Sequence, residues 1–129
     1  MILLDTHTWV WWASQPERPR LRHRQLLEEG PDHVHGVSII SCWEVAKLVQ
    51  YGRLKLDRPV ELWIDLALAK AGINLLPLSP QIVIESTKLP EAFHRDPADQ
   101  LLVATARVLD CPILTEDQKI ASYPHVRHA

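Results

Sequence analysis

The sequence predicts an α/β fold in three layers, with a central, mainly parallel sheet of four to five strands covered by helices on both faces. Three observations carry that expectation. Short apolar runs alternate with helix-forming segments along the chain. Most of those runs are continuous in apolar character instead of alternating, as expected of strands buried on both faces. Pro and Gly fall where helices would start and stop. With 129 residues, 47% hydrophobic and 23% charged, the chain has the size and balance of one globular domain over residues 1–129.

The elements follow in order. Residues 1–5 read as a buried strand ending in an acid, and residues 6–13, with Trp9, Trp11 and Trp12, as a short helix. A polar stretch over residues 15–24 holds Arg18, Arg20, Arg22 and Arg24 and leads into a helix ending near Gly30, a suitable C-cap. Residues 32–38 read as the second strand, and residues 39–51 as a helix stopped by Gly52. Pro59 fits the first helical position of a helix reaching Gly72. Residues 73–78 form the third strand, and a short helix follows Pro80 and ends before Pro90. Pro97 opens a long helix to about Asp110. Residues 112–115 read as the fourth strand and residues 116–121 as a short helix.

Composition excludes several classes. No apolar run approaches the roughly 18 residues of a membrane-spanning helix. The N-terminus has neither a basic region nor a small-residue cleavage site, so no secretory signal is expected. Cys42 and Cys111 are too few for a disulfide scaffold, and no Cys–His spacing resembles a zinc site. A reducing cytoplasm is the expected location. The formal net charge of −2 argues against nucleic-acid binding by bulk electrostatics. Any such contact would run through a local patch or through metal ions.

In parallel sheets the functional crevice lies beyond the carboxyl ends of the strands. Asp5 closes the first strand and would serve equally as a helix N-cap. Glu44 falls between Ile40, Leu48 and Tyr51 on a helix whose apolar residues occupy nearly every sector at about 100° per residue. A carboxylate buried there is costly unless paired, for instance with Lys47, or bound to a metal. Asp96 is placed to cap the helix opened by Pro97, and Asp99 suits that helix's dipole. Asp117 follows the fourth strand in a turn, with Thr115 an equally good cap. Each acid has a structural explanation, but parallel topology can bring Asp5, Glu44, Asp99 and Asp117 to one rim. Carboxylates about 4–5 Å apart repel by several kcal/mol in total at an effective dielectric near 20, so such a cluster needs cations. Oxygen-only ligands suit Mg²⁺ or Mn²⁺, which drive phosphoryl hydrolysis.

At these residues the sequence resembles the PIN domain family, specifically the VapC-type toxins of toxin–antitoxin pairs. The matching pieces are Leu3-Leu4-Asp5-Thr6-His7, Ser41-x-x-Glu44, Arg95-Asp96-Pro97-x-Asp99-x-Leu101-Leu102-x-Ala104-x-Ala106, and Leu114-Thr115-x-Asp117. They appear in the family's order across almost the whole chain. The Trp-rich first helix is this chain's own. The resemblance implies a PIN-like fold and a Mg²⁺- or Mn²⁺-dependent endoribonuclease. Its catalytic acids correspond to Asp5, Glu44, Asp99 and Asp117, with Asp96 an additional candidate ligand. Asp5 and Asp99 are expected to hold the principal metal, and no protein nucleophile is assigned. The resemblance also implies a homodimer, or a larger assembly, and inhibition by a small cognate antitoxin.

Other features bear on partners. Arg95, His94 and Thr115 are candidate RNA contacts, and His7 or His94 could assist proton transfer. The arginine run from Arg18 to Arg24 fits a solvated helix face, with Glu28 and Glu29 as counter-charges, or phosphate contact. Trp9 and Trp11 lie about 200° apart on a helix, so one or two of the three tryptophans should face a partner. Two rivals remain. A non-catalytic PIN-like binding module would lack the acids. A haloacid-dehalogenase-like phosphohydrolase needs Asp-x-Asp after the first strand, where His7 holds the second position.

Overall fold

The computed structural model describes residues 1–29 and 34–129, with the side chain of residue 29 left aside. In chain order the elements are β1 (Ile2–Leu4), α1 (Thr6–Ser14), α2 (Leu21–Glu29), β2 (His35–Ser38), α3 (Ile39–Gln50), α4 (Val60–Leu68), β3 (Ile73–Leu76), α5 (Pro80–Glu85), α6 (Pro97–Leu109), β4 (Ile113–Leu114) and α7 (Gln118–Ala121). The strands form one sheet in the order β3-β2-β1-β4, and every pairing is parallel. The sheet thus has four strands among the described residues, the lower end of the expected range. Beyond β4 the C-terminal residues cover the edge: Ile113 N–H donates to Arg127 O, and Ala129 N–H donates to Ile113 O.

Side-chain alternation along β1 divides the core. Leu3 joins Ile113, Leu102, Val103, Ala106 and Ile120 on one face of the sheet. Leu4 joins Val37, Leu114, Trp9, Val45 and Trp63 on the other. Adjacent strand residues point to opposite faces, so one strand feeds two helix layers and the three-layer arrangement follows. At Gly36 in β2 a Cβ would sit 2.7 Å from Leu76 Cδ1 of the neighbouring strand, so a larger residue here would have to displace the Leu76 side chain.

Several element ends differ from expectation. Pro59 is the N-cap residue of α4, not its first helical residue. That helix ends at Leu68, and a turn leads to Gly72 at φ +83°. Gly52, at φ +69°, ends α3 as expected. Helix α3 is not buried all round: Ser41 and Val45 are buried, whereas Ile39 and Trp43 are exposed. Its apolar composition serves two surfaces. The expected C-cap at Gly30 and the start of the strand read from Asp32 lie outside the described residues.

Candidate active site

Asp5 terminates β1 as the backbone N-cap of α1, yet its side chain makes no cap hydrogen bond. Instead, Thr115 Oγ1 donates to Asp5 Oδ2 at 2.6 Å. The carboxyl group is buried, 4% exposed, and aimed across the top of the sheet toward the strand next to its own. Burial pushes its pKa up, while the Thr115 hydrogen bond opposes that shift. The capping explanation for Asp5 therefore fails. Asp96 and Asp117 do cap: Asp96 Oδ1 accepts from Asp99 N–H at 3.1 Å, and Asp117 Oδ1 accepts from Lys119 N–H at 2.8 Å.

Glu44 stands on α3 one turn beyond its N-terminus. Lys47, the partner its spacing offered, bonds Gln50 Oε1 instead and lies over the rings of Trp43 and Tyr51. Desolvation raises the Glu44 pKa, the Thr6 hydroxyl opposes the rise, and the charges of Asp5 and Asp96 add to it. Glu44, Asp96 and Asp99 each present an oxygen within 4.8 Å of the others. Asp96 therefore stands in the acidic cluster while it caps α6.

Asp99 occupies the first turn of α6, with a side chain 13% exposed, and His94 Nε2 lies 3.0 Å from its Oδ2. Its pKa is pushed up to about 8, first by desolvation and then by the charges of Asp96, Asp5, Glu44 and Asp117. Both Asp5 and Asp99 feel Asp117. Glu44, Asp96 and Asp99 thus form one group, and the charges of Asp5 and Asp117 act on Asp99 from outside it. The five acids come from just beyond β1 and β4, from the second turn of α3 and from the start of α6.

Thr115, read from the sequence as an RNA contact, commits its hydroxyl to Asp5 and accepts from Asp117 N–H at 2.9 Å. Arg95 is exposed beside the cluster. His7 is exposed, and its charge acts on Asp5 and Glu44. Sequence reasoning passed over Thr6, whose fully buried hydroxyl lies 2.8 Å from that of Ser41. Its place directly after Asp5 was the available signal. It also missed Glu116, which pairs with Arg20 at 3.0 Å and supplies the counter-charge expected of Glu28 and Glu29.

The donor set consists of carboxylate oxygens without cysteine, which suits a hard divalent cation. The Glu44, Asp96 and Asp99 oxygens, within 4.8 Å of one another, are somewhat wider apart than the about 4 Å between opposed ligands of one bound ion. Burial first, and then the neighbouring acids, push the carboxyl pKa values of Asp99 and Glu44 up, and burial does the same at Asp5. The donor chemistry fits Mg²⁺ or Mn²⁺.

Comparison with known proteins gives the family and the fold. The PIN domain family model matches residues 2–126. Ribonuclease VapC22 of Mycobacterium tuberculosis is 32% identical over 126 residues, covering 98% of this chain and 94% of that protein. Among solved structures, a toxin–antitoxin complex from Klebsiella pneumoniae superposes with a TM-score of 0.67 at 23% identity, covering 98% of this chain and 95% of that one. VapBC2 from Rickettsia felis, bound to a DNA fragment from its promoter, gives 0.69 at 18% identity, with coverage of 100% and 98%. These two structures establish the shared fold, and the sequence matches establish kinship. The chain belongs to the PIN domain family, among its VapC-type members.

Proposed function

We propose that the chain is a divalent-metal-dependent endoribonuclease and the toxin of a toxin–antitoxin pair, acting in the cytoplasm. The observation that supports this reading is the cluster of Glu44, Asp96 and Asp99, with Asp5 and Asp117 near enough for their charges to act on Asp99, in a chain akin to a named VapC ribonuclease. Asp5, Glu44, Asp99 and Asp117 would hold the metal, with Asp96 contributing the carboxylate oxygen that does not cap α6. A bound Mg²⁺ or Mn²⁺ supplies charge neutralisation at the scissile phosphate and acidifies a water molecule for attack in line.

The chain's own residues do the rest. Thr115 fixes the rotamer of Asp5 through Oδ2. The Asp96 cap holds the first turn of α6, and so places Asp99. His94 Nε2 can hold a proton next to Asp99 Oδ2. Arg95, exposed at the rim, can contact the RNA backbone. The cluster argues against the binding-module alternative, which has no use for self-repelling acids.

The antitoxin we place away from the acids, in a groove of about 630 Å³ between α1 and α4. Trp11, Leu54, Leu56 and Leu66 give it apolar walls, and Arg18, Lys55, Arg58 and Lys70 give it a basic rim. Arg18 lies 4.7 Å from the ring of Trp11 and Lys70 lies 3.9 Å from that of Trp12. Trp9 and Trp63 are buried beneath, and Trp11 and Trp12 are half-buried against the same core. The homodimer belongs to the same proposal.

The test is cleavage of RNA with Mg²⁺ or Mn²⁺ against excess EDTA, beside phosphate release from a small phosphate ester. Metal-dependent cleavage of RNA, lost in Asp99→Asn, is expected. Full cleavage in EDTA would sink the metal mechanism, and ester hydrolysis without RNA cleavage would move the protein to another class.

A further inference from the structure

Two hydroxyls lie beneath the acidic rim with no access to solvent. Thr6, the first residue of α1, and Ser41, in the first turn of α3, are each 0% exposed. Their oxygens are 2.8 Å apart across 35 residues of sequence. Burying a hydroxyl is unfavourable unless it is hydrogen-bonded, and an apolar pair of similar shape would fill the same space without that cost. Packing alone therefore gives no reason for hydroxyls here.

Their positions give one. Thr6 directly follows Asp5. Ser41 precedes Glu44 by three residues, so the two share a face of α3. The Thr6 hydroxyl also bears on Glu44, opposing the rise that burial imposes on its pKa. The pair carries two protons. The Thr6 proton closes the bond to Ser41 Oγ, and the Ser41 proton is left over. The pair thus ties the helix that starts at Asp5 to the helix that carries Glu44.

We propose that Thr6 and Ser41 form a positioning brace, which fixes the separation of Asp5 from Glu44 and aims Glu44 toward Asp96 and Asp99 for a divalent cation. The inference rests on the metal-site reading above. Groups that orient metal ligands typically change metal affinity or activity by about 10–100-fold when removed. Neither hydroxyl touches substrate, and both act through Glu44 and the α1–α3 spacing.

The experiment titrates Mn²⁺ alone into wild type, Thr6→Val, Thr6→Ser and Ser41→Ala by calorimetry, with a thermal melt of each. Thr6→Val keeps the shape and removes the hydroxyl. It should weaken Mn²⁺ binding about tenfold or more while still melting cooperatively. Thr6→Ser, which keeps the hydroxyl, should bind within about threefold of wild type, well inside the span of such effects. Ser41→Ala adds no volume and decides the matter should Thr6→Val fail to fold: weakened binding by a folded variant supports the brace. Wild-type Mn²⁺ affinity in folded Thr6→Val and Ser41→Ala, with only their melting temperatures lowered, would overturn it. If the wild type binds Mn²⁺ and these variants bind equally well, the brace alone fails. If the wild type binds no Mn²⁺ and cleaves no RNA, the metal-site reading fails with it.

Discussion

Metal binding should expel protons, because the cation and the protons compete for the same carboxylates. The magnitude follows from Asp99, held at about 8 by burial and by four neighbouring acids. At pH 7 about 10% of such groups are ionised, and at pH 6 about 1%. Mn²⁺ requires the ionised form, so each bound ion should release about 0.9 proton from this residue at pH 7 and about half a proton at pH 8. The apparent Kd should tighten by about 50-fold from pH 6 to pH 8 and level off above about pH 9. Asp5 and Glu44, both also raised, can only add to the count. Calorimetric titration in two buffers of different ionisation enthalpy measures the protons directly. Asp99→Asn carries no proton to lose, so its count should fall by about one at pH 7. Release below about 0.3 proton at pH 7, with a Kd nearly constant from pH 6 to 8, would refute the reasoning.

The same residue sets the pH dependence of the metal-free protein. Asp99 binds its proton more tightly folded than unfolded, so stability should fall as pH rises from about 3.8 to about 8. The gap corresponds to at most about 6 kcal/mol, which relaxation and water penetration reduce. In EDTA, Asp99→Asn should match the wild type in melting temperature near pH 4 and exceed it at pH 8; a wild type more stable than the variant at pH 8 would contradict this. Mn²⁺ at a hundredfold excess over Kd should add about 2.7 kcal/mol to the wild type and little to Asp99→Asn, read as shifts in melting temperature. Asp96→Asn keeps a capping oxygen for Asp99 N–H and should lose less cleavage activity than Asp99→Asn at saturating metal. If Asp96→Asn proves the more damaging, the unused Asp96 oxygen is the more important ligand. Expressed without a partner, the wild type should arrest growth and Glu44→Gln should not; equal arrest would remove Glu44 from the site.

Sequence alone determined the elements and their alternation, because helix and strand formation here is governed by local rules. Ser79 and Asp96 cap their helices through side chains, with Pro80 and Pro97 following at the first position. Gly52 and Gly72 stand at positive φ, where a side chain would be strained. The continuous apolar strands implied a covered parallel sheet. From that and the motif order came the expectation that Asp5, Glu44, Asp99 and Asp117 share an edge, and of these the structure brings Glu44 and Asp99 within 4.8 Å of each other. What each acid does there was not legible. A cap and a ligand look alike in sequence, since both put an acid at a helix start. Only tertiary structure separates them: Asp5 turns away from its own helix to Thr115, 110 residues on, while Asp96 caps and joins the cluster at once. The placement of α3 was equally hidden. Its apolar residues point nearly all round, so periodicity cannot say which face is buried, and packing left Trp43 outside and Ser41 inside. The elevation of Asp99 to about 8 was beyond sequence for the same reason. Desolvation and Coulomb repulsion depend on distances between groups far apart along the chain, and those exist only once the sheet has brought its strand ends together.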